Sequence, residues 1–171
     1  MTTSILRSVC DPGRLTEAPM GVPGILLSNL GTPEAPTGPA LRTYLRQFLS
    51  DRRVVEAPRL IWWLVLNFII LPFRPRRSAR MYASIWSTEG SPLLVIAKRQ
   101  AKALTESVEN HLGDPVPVAI GMRYGHPSIA EALRELREKA CEQILLLPLY
   151  PQYSAATVGT TCDAVFAELA T

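Results

Sequence analysis

With 171 residues, 47% of them hydrophobic and 19% charged, the chain carries enough apolar material for one folded domain and too much for an intrinsically disordered one. A formal net charge of +3 is too mild to argue for a nucleic-acid partner. Cys10, Cys141 and Cys162 share no CxxC spacing, which argues for a reducing compartment and against a disulfide framework or a cysteine metal site.

Residues 1–24 read as a disordered leader, because Pro12, Gly13, Pro19, Gly21, Pro23 and Gly24 break any period. The same stretch holds no apolar core of the kind a secretory signal needs, so a cytoplasmic protein is expected. Ile25, Leu26 and Leu27 begin a first buried strand. It runs into Asn29-Leu30-Gly31-Thr32-Pro33, where Gly and Pro force a turn. This turn has the composition of a phosphate-cradling loop but not its pattern, since neither GxGxxG nor GxxxxGK[ST] occurs. From Pro39 to Leu49 the residues Leu41, Tyr44, Leu45, Phe48 and Leu49 fall at helical spacing, with Arg42 and Arg46 on the solvated side.

Leu60 to Leu71 is apolar almost all round, yet too short to span a bilayer. Arg74, Arg76, Arg77 and Arg80 follow it. Three readings stand side by side. Trp62, Trp63 and Phe68 backed by cations suit an interfacial helix on a membrane. A buried core helix has the same length, and the rim of a pocket for a flat apolar anion would turn the arginines toward carboxylates.

Ser91-Pro92 predicts a helix start, carried on by Ala97, Ala101, Leu104, Val108 and Leu112 and ended by Gly113. Val116 to Met122 reads as a second strand that delivers Arg123, Tyr124 and His126 to a loop. Ser128 and Glu131 form a capping box ahead of a helix that buries Ile129, Leu133, Leu136 and Ala140. Ile144 to Leu147 is an unbroken apolar run, expected to be a strand buried on both faces and stopped by Pro148 and Pro151. The loop beyond it is rich in hydroxyls: Tyr150, Tyr153, Ser154, Thr157, Thr160 and Thr161. After Gly159, Ala164, Val165 and Leu169 read as a last helix.

The order β-α-α-α-β-α-β-α predicts an α/β fold, a three-layer parallel sheet flanked by helices with right-handed crossovers. Three strands leave the sheet edges unshielded, so further architecture is expected beyond Thr171. Strand, loop, helix is the layout that places ligands at the carboxyl ends of strands. Those ends collect Arg, Tyr, Ser and Thr, which suit an anionic or flat aromatic ligand but offer no general base. HExxH, GxSxG and His/Cys clusters do not occur. His126, a lone imidazole before Pro127, reads as structural.

NLGTPEAPT (29–37), YLRQFLSDRRVVE (44–56), ILPFRPRRSARMYASIW (70–86), GSPL (90–93), GMRYGHP (121–127) and LPLYPQYSAATVG (147–159) follow one another from Ile25 to the end of the chain. In this series the sequence resembles the bacterial ferrochelatases, lyases that insert Fe(II) into protoporphyrin or coproporphyrin at the end of haem biosynthesis. Members of that family have two similar α/β lobes with the macrocycle in the cleft between them. The resemblance implies that residues 25–171 form the N-terminal lobe. Leu30 would lie against the macrocycle face, and residues 52–91 would be a porphyrin lip whose Trp62–Leu71 helix touches ring edges and the membrane surface. Arg74, Tyr82 and Ser91 match porphyrin-binding positions, Arg74 through a propionate. Arg123 and Tyr124 match the pair at the deep end of the cleft. Iron would be substrate rather than resident cofactor. Ala155 stands where cluster-bearing members have cysteine, so no iron–sulfur cluster is expected. The family's proton-accepting histidine and its carboxylate partner come from the second lobe, and His126 does not match them. The resemblance therefore implies a porphyrin-binding lobe without catalytic residues of its own, inactive alone. The alternative is a porphyrin- or haem-binding module without turnover.

Overall fold

Leu26 is wholly buried at the centre of the molecule, on the middle strand of a parallel three-stranded sheet ordered β2-β1-β3. The structure is a computed structural model that describes residues 21–170. The strands are β1 (Pro23–Gly31), β2 (Val118–Tyr124) and β3 (Gln143–Pro148). The expected leader lies outside the described residues as far as residue 20, and Pro23 and Gly24 already belong to β1. Between the strands run α1 (Gly38–Ser50), α2 (Arg59–Leu64), α3 (Leu71–Ile85), α4 (Pro92–Leu112) and α5 (Ile129–Glu138), and α6 (Thr160–Leu169) closes the chain.

Register decides which apolar residues meet. Leu26 lies opposite Ala119 of β2 and Leu146 of β3, so all three face the same side. There Ile129, Ala132, Leu133 and Leu136 of α5 and Val165 of α6 close over them as one buried cluster. Small side chains let α5 come near: a Cβ on Gly121 would stand 3.0 Å from the Leu26 side chain and 3.1 Å from Ile129 Cα. The capping box holds, with Ser128 Oγ accepting from the Glu131 N–H and Glu131 Oε2 accepting from the Ser128 N–H. The helix ends at Glu138, so Ala140, expected on its buried face, instead sits past its end with φ 57°.

On the opposite face α4 packs mainly over β2 and β1, and an open hollow lies between its Val108 and Leu112 and Leu145 of β3. The expectation that Ile144–Leu147 is buried on both faces therefore fails: Leu145 is 61% and Leu147 38% exposed. An edge strand has a partner on one side only, and the helix that would cover these two leucines lies over its neighbours. Ile144 and Leu146, facing α5 and α6, are half-buried. The second strand is also shifted from expectation, starting at Val118 and ending at Tyr124. Arg123 and Tyr124 are consequently its last two residues and not part of a loop.

The greasy stretch after α1 is neither a core helix nor a single regular one. Between α2 and α3 the chain widens into a π-helical turn, Val65–Ile70. Pro72 and Pro75 lack the N–H groups that α-helical bonding to residues 68 and 71 requires. The wide turn makes five-residue spacing the inward one: Leu66 and Leu71 are buried, at 4% and 1% exposure, while Leu60, Ile61 and Phe68 are exposed. Trp62 Nε1 anchors the segment by donating to the Leu49 carbonyl at 2.6 Å. Among the described residues no helix is long and apolar enough to cross a membrane.

Candidate functional site

Leu30, at the carboxyl end of β1, stands on the floor of an open concavity of about 840 Å³ between α1 and the π turn with α3. Tyr44, Leu45 and Phe48 of α1 form one wall. The other wall repeats at helical spacing: Ile70, Phe73, Arg74, Arg77, Ser78, Met81 and Tyr82. Leu71, Pro75 and Ala79 form the adjoining stripe of the same helix, and they are the residues it buries. Apolar and aromatic side chains thus make the body of the hollow, and two guanidinium groups sit together on one wall. Of the four clustered arginines only Arg74 and Arg77 line it, because Arg76 and Arg80 leave the helix in other directions. Among the described residues neither Arg74 nor Arg77 takes part in an ion pair.

Aromatic contacts stiffen the α1 wall. The rings of Tyr44 and Phe48 are stacked with centroids 6.2 Å apart, and the edge of Tyr124 meets Phe48 at 5.2 Å. Tyr44 donates to the Gly31 carbonyl at 3.3 Å. Burial pushes its phenol well above the usual value, and the neighbouring Tyr82, Tyr124 and Tyr150 phenols add to the rise. Burial likewise raises Tyr82. These phenols are neutral at physiological pH, so the positive charge on the lining comes from Arg74 and Arg77.

Behind that wall lies a polar junction. Asp51, just past α1, accepts from Arg123 Nη2 at 2.6 Å and from the Tyr124 hydroxyl at 2.9 Å, both at Oδ2. The Thr160 hydroxyl donates to the same oxygen, while the Arg53 N–H donates to Oδ1 at 2.8 Å. Arg123 Nε donates to Thr160 Oγ1 at 2.7 Å, and the guanidinium lies 4.6 Å from the Tyr124 ring centroid. Burial pulls the Asp51 carboxyl up, but the bonds from Thr160, the Arg53 N–H and Tyr124 and the charge of Arg123 outweigh it and hold it below the usual range. Burial, aided by Asp51, pushes the Tyr124 phenol up to about 12. Arg53 and Asp163 form a further ion pair on the exposed side.

Of the six residues singled out from sequence, Leu30, Arg74 and Tyr82 line the concavity. Tyr124 is buried beneath it, in contact with Phe48. Arg123 stands farther back, its charge already met by Asp51. Ser91 is buried elsewhere: it precedes α4 without capping it, its hydroxyl accepting from Thr32 Oγ1 at 2.7 Å. The hydroxyl-rich loop after β3 contributes nothing to the lining. Thr160 is turned to Asp51, Thr161 donates to the Thr157 carbonyl, and Tyr153 is 71% exposed. His126 has two carboxylate neighbours, Glu131 at 2.9 Å and Glu34 at 3.7 Å. The bond to Glu131 raises its pKa.

Sequence reasoning missed Asp51 and Phe48 as parts of this region, and it held Arg77 only as one of the four clustered arginines of the pocket-rim reading. The spacing 70, 73, 74, 77, 78, 81, 82 is the signal that separates Arg77 from Arg76 and Arg80, whereas nothing local to Asp51 marks it out from other residues that end helices.

Residues 22–171 match the profile of the ferrochelatase family. Ferrochelatases of Thioalkalivibrio sulfidiphilus and Methylobacillus flagellatus are 57% and 56% identical over 142 and 140 residues, covering 83% and 82% of this chain. That of Marinobacter nauticus is 52% identical over 83% of the chain. The chain spans 38%, 41% and 38% of the length of these three relatives.

Proposed function

The chain belongs to the ferrochelatase family, and from that premise we propose that it supplies the porphyrin-holding lobe for insertion of Fe(II) into protoporphyrin or coproporphyrin. The observation that carries this reading is the concavity itself. Leu30, Phe48, Ile70, Phe73 and Met81 offer a flat macrocycle an apolar and aromatic bed, and Arg74 with Arg77 offers its propionates two cations on one wall. Binding at the periphery is what lets such a pocket distort a ring. Contacts to propionates and ring edges hold the macrocycle bent, so that pyrrole nitrogens tilt toward the incoming iron. Two N–H protons must then leave to a base.

This chain contributes grip and shape, and the proton acceptor is a histidine from polypeptide outside it. His126 is not that base, since it does not line the concavity. Fe(II) is substrate, and no iron–sulfur cluster is assigned. The outer side of the lip rests on a membrane surface: Leu60, Trp63 and Phe68 are exposed, and Arg59 lies in one surface hollow with Leu60 and Trp63.

Titration of metal-free porphyrin with the 171-residue chain, followed by fluorescence, tests the proposal. Saturable binding is expected, with a raised thermal midpoint and no metalloporphyrin when Fe(II) is added to the chain alone. Non-saturable uptake without a change in midpoint would end the porphyrin reading, and turnover by the chain alone would end the view that it lacks its own base.

A further inference from the structure

Asp51 lines no part of the concavity, yet its carboxylate joins three elements: the end of α1, the last two residues of β2 and the first residue of α6. We propose that Asp51 is a positioning residue for the concavity, its carboxylate fixing the Arg123 guanidinium and the Tyr124 phenol and thereby setting Phe48 on the wall. The inference rests on the porphyrin reading for its purpose, but its geometry stands apart from that reading.

Both carboxylate oxygens are engaged. Oδ2 takes the three side-chain donors, and Oδ1 takes the Arg53 N–H, which fixes the plane of the group. A neutral acceptor could not do the same. The Arg123 side chain is only 23% exposed and that of Asp51 only 11%. A guanidinium at that depth needs a counter-charge, because leaving it unpaired is far more costly than losing one neutral hydrogen bond. The consequence reaches the lining in two steps. Tyr124 is held at its hydroxyl by Asp51 and meets Phe48 edge-on at its ring. Phe48 in turn stacks on Tyr44, and both rings face the concavity. The same pairing removes Arg123 from the set of cations available to a ligand carboxylate and leaves that task to Arg74 and Arg77.

The test compares wild-type chain with Asp51→Asn, which keeps shape and removes charge, and with Thr160→Val, which removes one donor and keeps the anion. Tyrosine labelled with 13C at Cζ reports the Tyr124 phenol by NMR without any ligand present. Wild-type Tyr124 is expected to stay protonated to about pH 12, and in folded Asp51→Asn it titrates roughly one pH unit or more lower. Porphyrin affinity at neutral pH falls about tenfold in Asp51→Asn and less in Thr160→Val. An unmoved Tyr124 resonance overturns the inference whatever the porphyrin result. A moved resonance with unchanged porphyrin affinity overturns it too, since Asp51 would then hold the pair without shaping the site. If wild-type chain binds no porphyrin while the resonance moves, the porphyrin reading fails and the anchoring of Arg123 and Tyr124 by Asp51 stands. Should Asp51→Asn fail to fold, Tyr124→Phe, which removes the hydroxyl that Asp51 holds and keeps the ring, decides by porphyrin affinity: a loss supports the inference and an unchanged affinity overturns it.

Discussion

Replacing Arg74 by Ala probes the side chain on which the ligand assignment leans hardest. Arg74 is exposed on the α3 wall and lies in the same lining as Arg77, one helical turn on. A charge-assisted hydrogen bond contributes about 1.5–3 kcal/mol. Because the wall is open to solvent the lower end applies, which corresponds to roughly a tenfold loss of porphyrin affinity for Arg74→Ala. Arg77→Ala is expected to lose a similar amount. The double replacement falls short of the product of the two, since neighbours that share a ligand group are not independent. Arg42 on α1 and Arg80 on α3 are also exposed but lie outside the lining, so their replacement with Ala should leave affinity within about twofold. Fluorescence quenching of metal-free porphyrin at two ionic strengths measures all of these, and salt should erode the difference between Arg74→Ala and wild type. Equal losses for Arg74→Ala and Arg42→Ala would mean that net charge, and not a placed guanidinium, draws the ligand, and the propionate contact would have to be abandoned.

Three further outcomes concern the scaffold. Leu26→Ala should cost about 2–5 kcal/mol, read as a lowered urea midpoint, because Leu26 is fully buried between sheet and α5; a cost near zero would contradict that placement. Gly31→Ala should destabilise by more than about 1 kcal/mol, since Gly31 has φ 107° and a Cβ there would lie 1.8 Å from the Tyr124 carbonyl oxygen. The His126–Glu131 pair gives stability a pH signature with two limbs. Backbone and His126 bonds hold Glu131 at about 2, so its contribution is full above the ordinary glutamate pKa and is lost as pH falls from there through about 2. Glu131 raises His126, so that contribution is full below the unfolded histidine value and is lost as pH rises through the folded one. Urea melts of wild type against His126→Gln from pH 5 to 9 should converge at the alkaline end; parallel curves would remove the ion pair from the account.

Which parts of this protein could be read from its letters follows from how local their causes are. The capping box, the Gly113 terminus of α4, the apolar run of β1 and the helical stripe of α1 each depend on side chains within a few residues of one another, and the structure keeps all four. The parallel α/β order followed from those elements and the handedness of crossovers. Leu30, Arg74 and Tyr82 could be named in advance because the motifs around them resemble those of a known family, and they line one hollow.

Burial of β3 could not be read this way. Leu145 and Leu147 have core letters, yet they are exposed on an edge strand while α4 packs mainly over the other two. The same holds for the π turn, where Leu66 and Leu71 face inward at a spacing no regular helix would suggest. It holds most of all for Asp51, which meets Arg123 and Tyr124 across 72 and 73 residues of chain and Thr160 across 109. Sequence can supply an aspartate, an arginine, a phenol and a threonine, but a hydrogen bond is decided over about 3 Å. That distance is set by the docking of α1, β2 and α6 around a shared core, which no single stretch of the chain encodes.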